Sequence, residues 1–302
     1  MKVNLAIFNH ISPESNDTRG IYDHILVLKN IFKEFKINLT VSYTLDPSVL
    51  NIVIENFNES SVKVIDDFCN KYEKKVCVIM TEHLSIKDNE LRYGTYKITQ
   101  REYIGNVDQR IFSLFALAES TMAYFTLGEL PFLNDIEDML YTNQVYRINY
   151  PKIKPCNDVD FSKAEFDLGF TGAIIPYREK IINKLKEEYE VFTSGIVSSE
   201  EERLKNTRKS KAIISIPQNE EWHWISPMRF MYNLEVGMPS IHYGEGDSTE
   251  FYKKILSWVT IDEVLKNPKE VYGKQIKAYN DLDLHSNKFL NFLNIWNMME
   301  TD

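Results

Sequence analysis

The strongest constraint in this sequence is the alternation of short apolar runs with longer amphipathic segments in the first half of the chain. The longer segments repeat apolar residues at helical spacing, as at positions 21, 25, 28, 32 and 35. This alternation predicts a parallel, doubly wound sheet, because parallel strands are joined by crossover helices. The predicted strands are 3–9, 37–43, 51–56, 75–81 and 123–129, and the predicted helices are 20–35, 60–72 and 109–122.

The second half of the chain repeats the same rhythm after a segment, 147–166, that has two prolines and no clear period. We therefore expect an N-terminal Rossmann-like domain over 1–150, a C-terminal Rossmann-like domain over 151–284 and a terminal helix within 285–302. The predicted strands here are 166–174, 190–195, 211–218 and 238–242, and the predicted helices are 176–189, 199–210, 227–236, 248–256, 261–282 and 287–299.

Composition excludes several functional classes. The net charge of −9 and the lack of a long basic run argue against nucleic acid as a partner. Three widely spaced cysteines without a CxxC pair, and histidines without metal-ligand spacing, predict a metal-free protein of a reducing compartment. We expect a cytoplasmic protein with no signal peptide, no membrane span and at most peripheral membrane association.

Polar loops that follow the predicted strands of the first half are candidate catalytic positions, because ligands bind outside the carboxyl ends of parallel strands. The loop 9–20 is longer than a tight connection needs and carries Asp17, with His24 close behind it. Glu82 and His83 follow the strand 75–81 and supply a carboxylate and an imidazole for acid–base work. The alternative for each is a polar loop or strand end that only faces water.

The loops of the second half predict an anion site. Gly172 permits close approach of a ligand, the helix beginning near Pro176 presents free N–H groups, and Arg178 adds charge. The loop before the next helix carries Gln218 and Asn219. It also carries two tryptophans, which form either a stacking wall for a base or sugar or a plug between domains. A GxGxxG fingerprint is missing, which argues against an ordinary dinucleotide dehydrogenase.

Arg229 is the most informative of these residues. Ser226 is the predicted N-cap, Pro227 occupies the first helical position and Gly237 ends the helix. Arg229 therefore falls in the first turn, where the helix dipole disfavours a cation unless an anion or a carboxylate pairs with it.

The segments "DLGFTGAIIPYREKIINKL" and "SKAIISIPQNEEWHWISPMRFMYNLEVGMPSI" resemble the C-terminal half of GT-B glycosyltransferases, in particular the group related to spore-coat CgeB-type proteins. Arg178 matches a helix arginine that follows the first Gly loop of that pattern. Arg229 and Gly237 match its second helix, which opens with Arg–Phe and ends in Gly. The resemblance is good over 167–241, and in the N-terminal half it is limited to the strand–helix rhythm.

The resemblance implies two Rossmann-like doubly wound domains that face a cleft, with the terminal helix packing back on the N-terminal domain. It implies metal-independent transfer of a sugar from a nucleotide-sugar donor to a hydroxyl acceptor, in glycan or cell-surface polysaccharide synthesis, without a cofactor. The implied donor-binding residues are Gly172, Arg178, Gln218, Asn219, Ser226, Arg229 and Tyr232. If the reaction inverts, Asp17, Glu82 and His83 are candidates for the catalytic base.

One position departs from the family pattern. Tyr232 stands where family members often have a glutamate that contacts the donor ribose, and Glu235 follows three residues later. Two alternatives therefore remain open beside glycosyl transfer: a nucleotide-sugar epimerase of the same fold, and a non-catalytic glycan-binding or scaffold protein.

Overall fold

The computed structural model divides into two compact units. The first unit contains residues 1–17, 28–151 and 284–302, and the second contains residues 18–27 and 152–283. The structure describes residues 1–8, 22–54, 59–80, 84–87, 90–93, 96–97, 107–127, 144–148, 150–195, 200–218, 220, 225–247, 249–282 and 287–299.

The first unit is built on a parallel sheet with the strand order β2-β1-β3-β4-β8-β9. Its central strands β3 and β4 are buried at every position, which explains why their sequences LNIVI and VCVIM are continuous apolar runs rather than alternating ones. The strands are β1 (Lys2–Ala6), β2 (Asn38–Ser42), β3 (Leu50–Ile54), β4 (Val76–Met80), β8 (Thr121–Leu127) and β9 (Val145–Ile148).

The helices of the first unit are α2 (Glu59–Tyr72), α3 (Val107–Ala116) and α9 (Asn287–Met299), together with the later part of α1 (Tyr22–Glu34), whose residues 22–27 belong to the second unit. Ile65, Phe68 and Cys69 form the buried face of α2, as their spacing predicts. The predicted helix 109–122 is wrong at its end, because hydrogen-bonded turns follow Ala116 and β8 already begins at Thr121.

A small antiparallel sheet is present in addition to the predicted strands. Its strands are β5 (Leu84–Lys87), β6 (Glu90–Tyr93) and β7 (Tyr96–Lys97). The strands are short and mix charged with apolar residues, so their hydrophobic period is weak.

The terminal helix α9 packs on the sheet of the first unit. Phe289 is fully buried, with its ring centroid 5.1 Å from that of Phe125 and 6.1 Å from that of Phe32. Phe292 adds ring contacts to Phe125 and to Tyr146 of β9. These aromatic contacts join the last described helix to the centre of the first unit.

The second unit is built on a second parallel sheet with the strand order β11-β10-β12-β13. Its strands are β10 (Phe166–Thr171), β11 (Val191–Ser194), β12 (Ser210–Ser215) and β13 (Ser240–His242). Gln275 is fully buried beside the edge strand β13, where it accepts from the Ser240 N–H at 2.9 Å and donates to the Ser240 carbonyl at 2.7 Å. The backbone groups of this edge residue are thus satisfied without another strand.

The α-helices of the second unit are α4 (Pro176–Leu185), α5 (Glu200–Thr207), α6 (Pro227–Glu235), α7 (Ile261–Lys266) and α8 (Pro268–Asn280). A 3-10 helix covers Phe161–Lys163, and a π-helix covers Tyr252–Leu256 within the predicted helix 248–256. The single helix predicted over 261–282 is wrong, because it is broken at Asn267 before Pro268. Gly237 ends α6 with a φ of +86°, as predicted, and a Cβ there would lie 2.7 Å from Val159.

The predicted linker region is tied to the second unit from Lys152 onward. Asn280 donates to the carbonyl of Ile153 at 2.8 Å and accepts from its N–H at 3.0 Å. The Tyr272 hydroxyl accepts from the N–H of Cys156 at 2.7 Å. Residues 152–160 thus form neither helix nor strand, and the backbone groups of Ile153 and Cys156 bond to side chains of α8 instead.

The predicted α/β class with parallel sheets and flanking helices is confirmed. Among the described residues, the helices are too short or too polar to cross a bilayer.

Truncation of Phe289 to alanine should lower the free energy of unfolding by about 3–5 kcal/mol, because it removes a fully buried ring from between two others. Urea unfolding followed by circular dichroism measures this change. Met299→Ala is the matched control in the same helix, since Met299 is 73% exposed, and it should change stability by less than about 0.5 kcal/mol. Equal effects of the two substitutions would contradict the described packing of α9.

Candidate functional site

The candidate site lies between β10 and β12, where the order in which the chain adds strands to the second sheet changes from one side to the other. β10 pairs with β11 on one side and with β12 on the other. The loops that leave the carboxyl ends of β10 and β12 therefore cross to different faces of the sheet, and a crevice opens between them. Gly172 follows β10, and Ile216 and Pro217 follow β12.

Arg178 holds these two loops together. Its Nε donates to the carbonyls of Ile216 at 3.0 Å and Pro217 at 3.2 Å, and its Nη1 donates to the carbonyl of Ala173 at 3.0 Å. The guanidinium carbon lies 5.6 Å from the ring centre of Phe170. Arg178 is buried, and these hydrogen bonds position the backbone on both sides of the crevice.

Arg229 is the third residue of α6 and reaches across to the loop after β10. Its Nη2 lies 3.4 Å from the position that a Cβ on Gly172 would take. Gly172 has a φ of +139°, so a glycine is required there for its backbone conformation as well as for the space. Within the described residues, Arg229 has no hydrogen bond and no carboxylate partner.

The two arginines repel each other. Burial, with a smaller contribution from the charge of Arg229, lowers the pKa of Arg178 to about 10. Burial also lowers the pKa of Arg229. Both side chains nevertheless remain cations at neutral pH, so the crevice concentrates positive charge in a partly desolvated place.

The start of α6 is stabilised from a neighbouring loop. Ser226 occupies the N-cap position, as predicted, but its side chain makes no capping hydrogen bond and is exposed. Asp247 instead accepts from the N–H of Ile225 at 3.1 Å and from the N–H of Thr249 at 3.0 Å. This role of Asp247 is not predicted from the sequence above, although an aspartate two residues before a threonine is typical of an Asx turn.

His24, which follows the candidate loop 9–20 in the sequence, belongs to the second unit. Its Nδ1 is buried and has no hydrogen-bond partner among the described residues. Burial, with a smaller contribution from the charge of Arg229, lowers the pKa of His24 from 6.5 to about 4. The His24 imidazole is thus neutral at physiological pH.

The remaining predicted donor-site residues lie in different environments. Gln218 is exposed directly after Pro217. Tyr232 is buried within the second unit, with the guanidinium carbon of Arg203 lying 3.8 Å from its ring centre. Glu235 is exposed in the last turn of α6. The structure thus brings Gly172, Arg178 and Arg229 together and leaves Tyr232 in a packing role.

Asp17, Glu82, His83 and Asn219 lie outside the described residues. Within the described part of the chain, no group of three or more histidine, cysteine, aspartate or glutamate side chains is arranged to hold a metal ion. Comparison of the sequence with protein-family models and with curated proteins finds no match.

The clamp role of Arg178 predicts that lysine cannot replace it. A lysine ammonium cannot reach the carbonyls of both loops, so Arg178→Lys should lower the free energy of unfolding by about 1–3 kcal/mol. Urea unfolding measures the loss. Lys184→Ala, on the exposed side of the same helix, is the control and should change stability by less than about 0.5 kcal/mol. An unchanged unfolding midpoint in Arg178→Lys would refute the clamp.

His24 predicts a pH dependence of stability. Its pKa is lower in the folded protein than the ordinary 6.5, so the unfolded chain binds the proton more tightly. The contribution of neutral His24 is complete above pH 6.5 and is lost as the pH falls towards about 4, by at most about 1.4 kcal/mol per pH unit. Urea unfolding at several pH values in the wild type and in His24→Asn isolates this slope from that of the carboxylates. Identical slopes in both proteins would contradict it.

Proposed function

We propose that this chain is a metal-independent glycosyltransferase of the GT-B type, which transfers a sugar from a nucleotide-sugar donor to a hydroxyl acceptor in glycan or cell-surface polysaccharide synthesis. The phosphate groups of the donor bind at the crevice between the loops after β10 and β12. The resemblance of 167–241 to the C-terminal half of such enzymes supports this proposal.

The observation that carries the proposal is Arg229, a partly buried cation without a carboxylate partner in the described structure. Placing two arginines together in a desolvated crevice is unfavourable unless an anion neutralises them. The first-turn N–H groups of α6 add positive potential at the same place. A diphosphate or phosphate ester has the charge and the acceptor oxygens that complement this arrangement.

The same groups suit the chemistry of glycosyl transfer. When the bond between the sugar and the phosphate breaks, negative charge grows on the departing nucleotide. Arg229 and the N-terminus of α6 stabilise that charge in place of a metal ion, because they are fixed in advance in a site with little water. If the reaction inverts the sugar, a base removes the acceptor proton, and Asp17, Glu82 and His83 remain the candidates.

Recognition of the ribose differs from the family pattern in this proposal. Tyr232 replaces the usual glutamate and is buried beneath Arg203. Gln218, which is exposed next to the Arg178 clamp, is the described residue best placed at this loop to contact the base or ribose. The identity of the nucleotide then depends on the loop after β12 more than on α6.

Thermal unfolding in the presence of UDP, GDP, CMP, dTDP and their sugars tests the proposal. At least one of these nucleotides should raise the melting temperature of the wild type. Arg229→Ala should remove the shift and weaken binding by roughly 100-fold, because it deletes a charge-assisted contact to phosphate. Without nucleotide, Arg229→Ala should melt no lower than the wild type, since it removes a desolvated cation that lacks a partner.

Lys184→Ala is the matched control for loss of a positive charge, and it should keep the nucleotide shift. Product analysis with the stabilising donor then separates the reactions: sugar transferred to an acceptor supports the proposal, whereas an epimerised donor without acceptor indicates an epimerase. If none of the nucleotides stabilises the protein, the proposed function is wrong. A shift that survives in Arg229→Ala would refute the phosphate site.

A further inference from the structure

A cavity lies in the first unit, at the amino ends of its parallel strands. Its volume is about 660 Å³, within the range of small-molecule sites. Lining residues Leu50, Lys75 and Met122 lie at the amino ends of β3, β4 and β8, and the other wall is the outer part of α9. This cavity is built from the first unit alone and is independent of the proposed donor site.

The α9 wall is apolar where the helix leaves the core. Phe292 still contacts the rings of Phe125 and Tyr146, but the next turns contribute Ile295, Trp296 and Met299 to the cavity. Ile295 is 58% exposed and Met299 is 73% exposed. Large apolar side chains gathered along one cavity wall, rather than scattered singly, are typical of a ligand-binding surface.

The cavity is rimmed by positive charge. Lys74, Lys75 and Lys288 line it, and Glu73 is the one acidic side chain within the described lining. The chain as a whole carries a net charge of −9, so a local excess of lysines is contrary to the average of the protein. Lysines beside the half-buried Trp296 and exposed apolar side chains complement a molecule with an anionic head and an apolar body.

We infer that this cavity binds a single anionic amphiphile, with its apolar part against Phe292, Ile295, Trp296 and Met299 and its carboxylate or phosphate head at Lys74, Lys75 and Lys288. Burial of the exposed side chains of α9 supplies the driving force, and the lysines supply the preference for an acidic head. The concave shape favours one small molecule over a flat protein partner, because a stable protein interface needs an area above about 1,000 Å².

Titration calorimetry with decyl phosphate, kept below its micelle concentration, tests this inference. The protein should bind one molecule of decyl phosphate, whereas decyltrimethylammonium, with a similar chain and a positive head, should bind at least about tenfold more weakly. Ile295→Glu should weaken binding by at least about tenfold, because it places a carboxylate in the apolar wall. Ile295 is exposed, so this substitution preserves the fold. Lys288→Ala should weaken binding of decyl phosphate by about fivefold and leave decyltrimethylammonium unchanged or tighter.

Two controls assign the binding to this cavity. Phe112→Glu makes the same kind of change at an exposed apolar side chain of α3, outside the cavity, and should bind like the wild type. Arg229→Ala should also bind like the wild type, which separates the cavity from the proposed phosphate site. Loss of decyl phosphate binding in Arg229→Ala but not in Ile295→Glu would overturn the inference while leaving the donor site intact.

Three further results would overturn the inference. The first is equal binding of decyl phosphate and decyltrimethylammonium. The second is capture by phosphatidylglycerol vesicles without binding of monomeric decyl phosphate, which would mean that a bilayer surface is recognised instead. The third is a dimer in sedimentation that Ile295→Glu dissociates, together with no amphiphile binding, which would mean that a second copy covers α9.

Discussion

The geometry of the candidate site depends on one buried guanidinium group. Parallel strands deliver the loops after β10 and β12 to the same edge of the sheet, but nothing in a parallel sheet fixes the distance between two such loops. Arg178 does so by donating to carbonyls of both loops from a single planar group. Gly172 is thereby held where the side chain of Arg229 packs against it.

Arg229, a second cation beside Arg178, makes the carboxyl edge of the second sheet positively charged. A buried structural arginine is normally paired with a carboxylate or fully hydrogen-bonded. Arg229, in contrast, adds a positive charge that no described carboxylate neutralises. The nearby His24 stays neutral and adds no further charge. The repulsion between Arg178 and Arg229 at the carboxyl edge of the second sheet is therefore unfavourable for the protein without a ligand. Unfavourable charge placements of this kind are typical of sites that bind ligands of opposite charge.

Much of the fold could be predicted from the sequence, because burial leaves a direct trace in residue order. The continuous apolar runs of β3 and β4 and the helical spacing in α2 predict their elements, as the structure confirms. Element boundaries are predicted less well, since the helix predicted over 261–282 breaks before Pro268. The antiparallel sheet β5–β7 is not predicted, because its short strands have too weak a hydrophobic period. The candidate site was predicted only in part. Arg178 was selected for its charge, but its bonds to backbone carbonyls have no sequence signature.

The sequence by itself determined the two parallel α/β sheets, the ends of α6 at Pro227 and Gly237, and the presence of an unusual cation in the first turn of that helix. These features follow from periodicity and from the backbone limits of proline and glycine, which act over a few residues. Only the tertiary structure decided that Arg178 clamps two loops, that Asp247 supports the start of α6, and that lysines from separate segments line one cavity with the apolar side chains of α9. Each of these joins residues far apart in the chain, and such contacts depend on packing that no local pattern encodes.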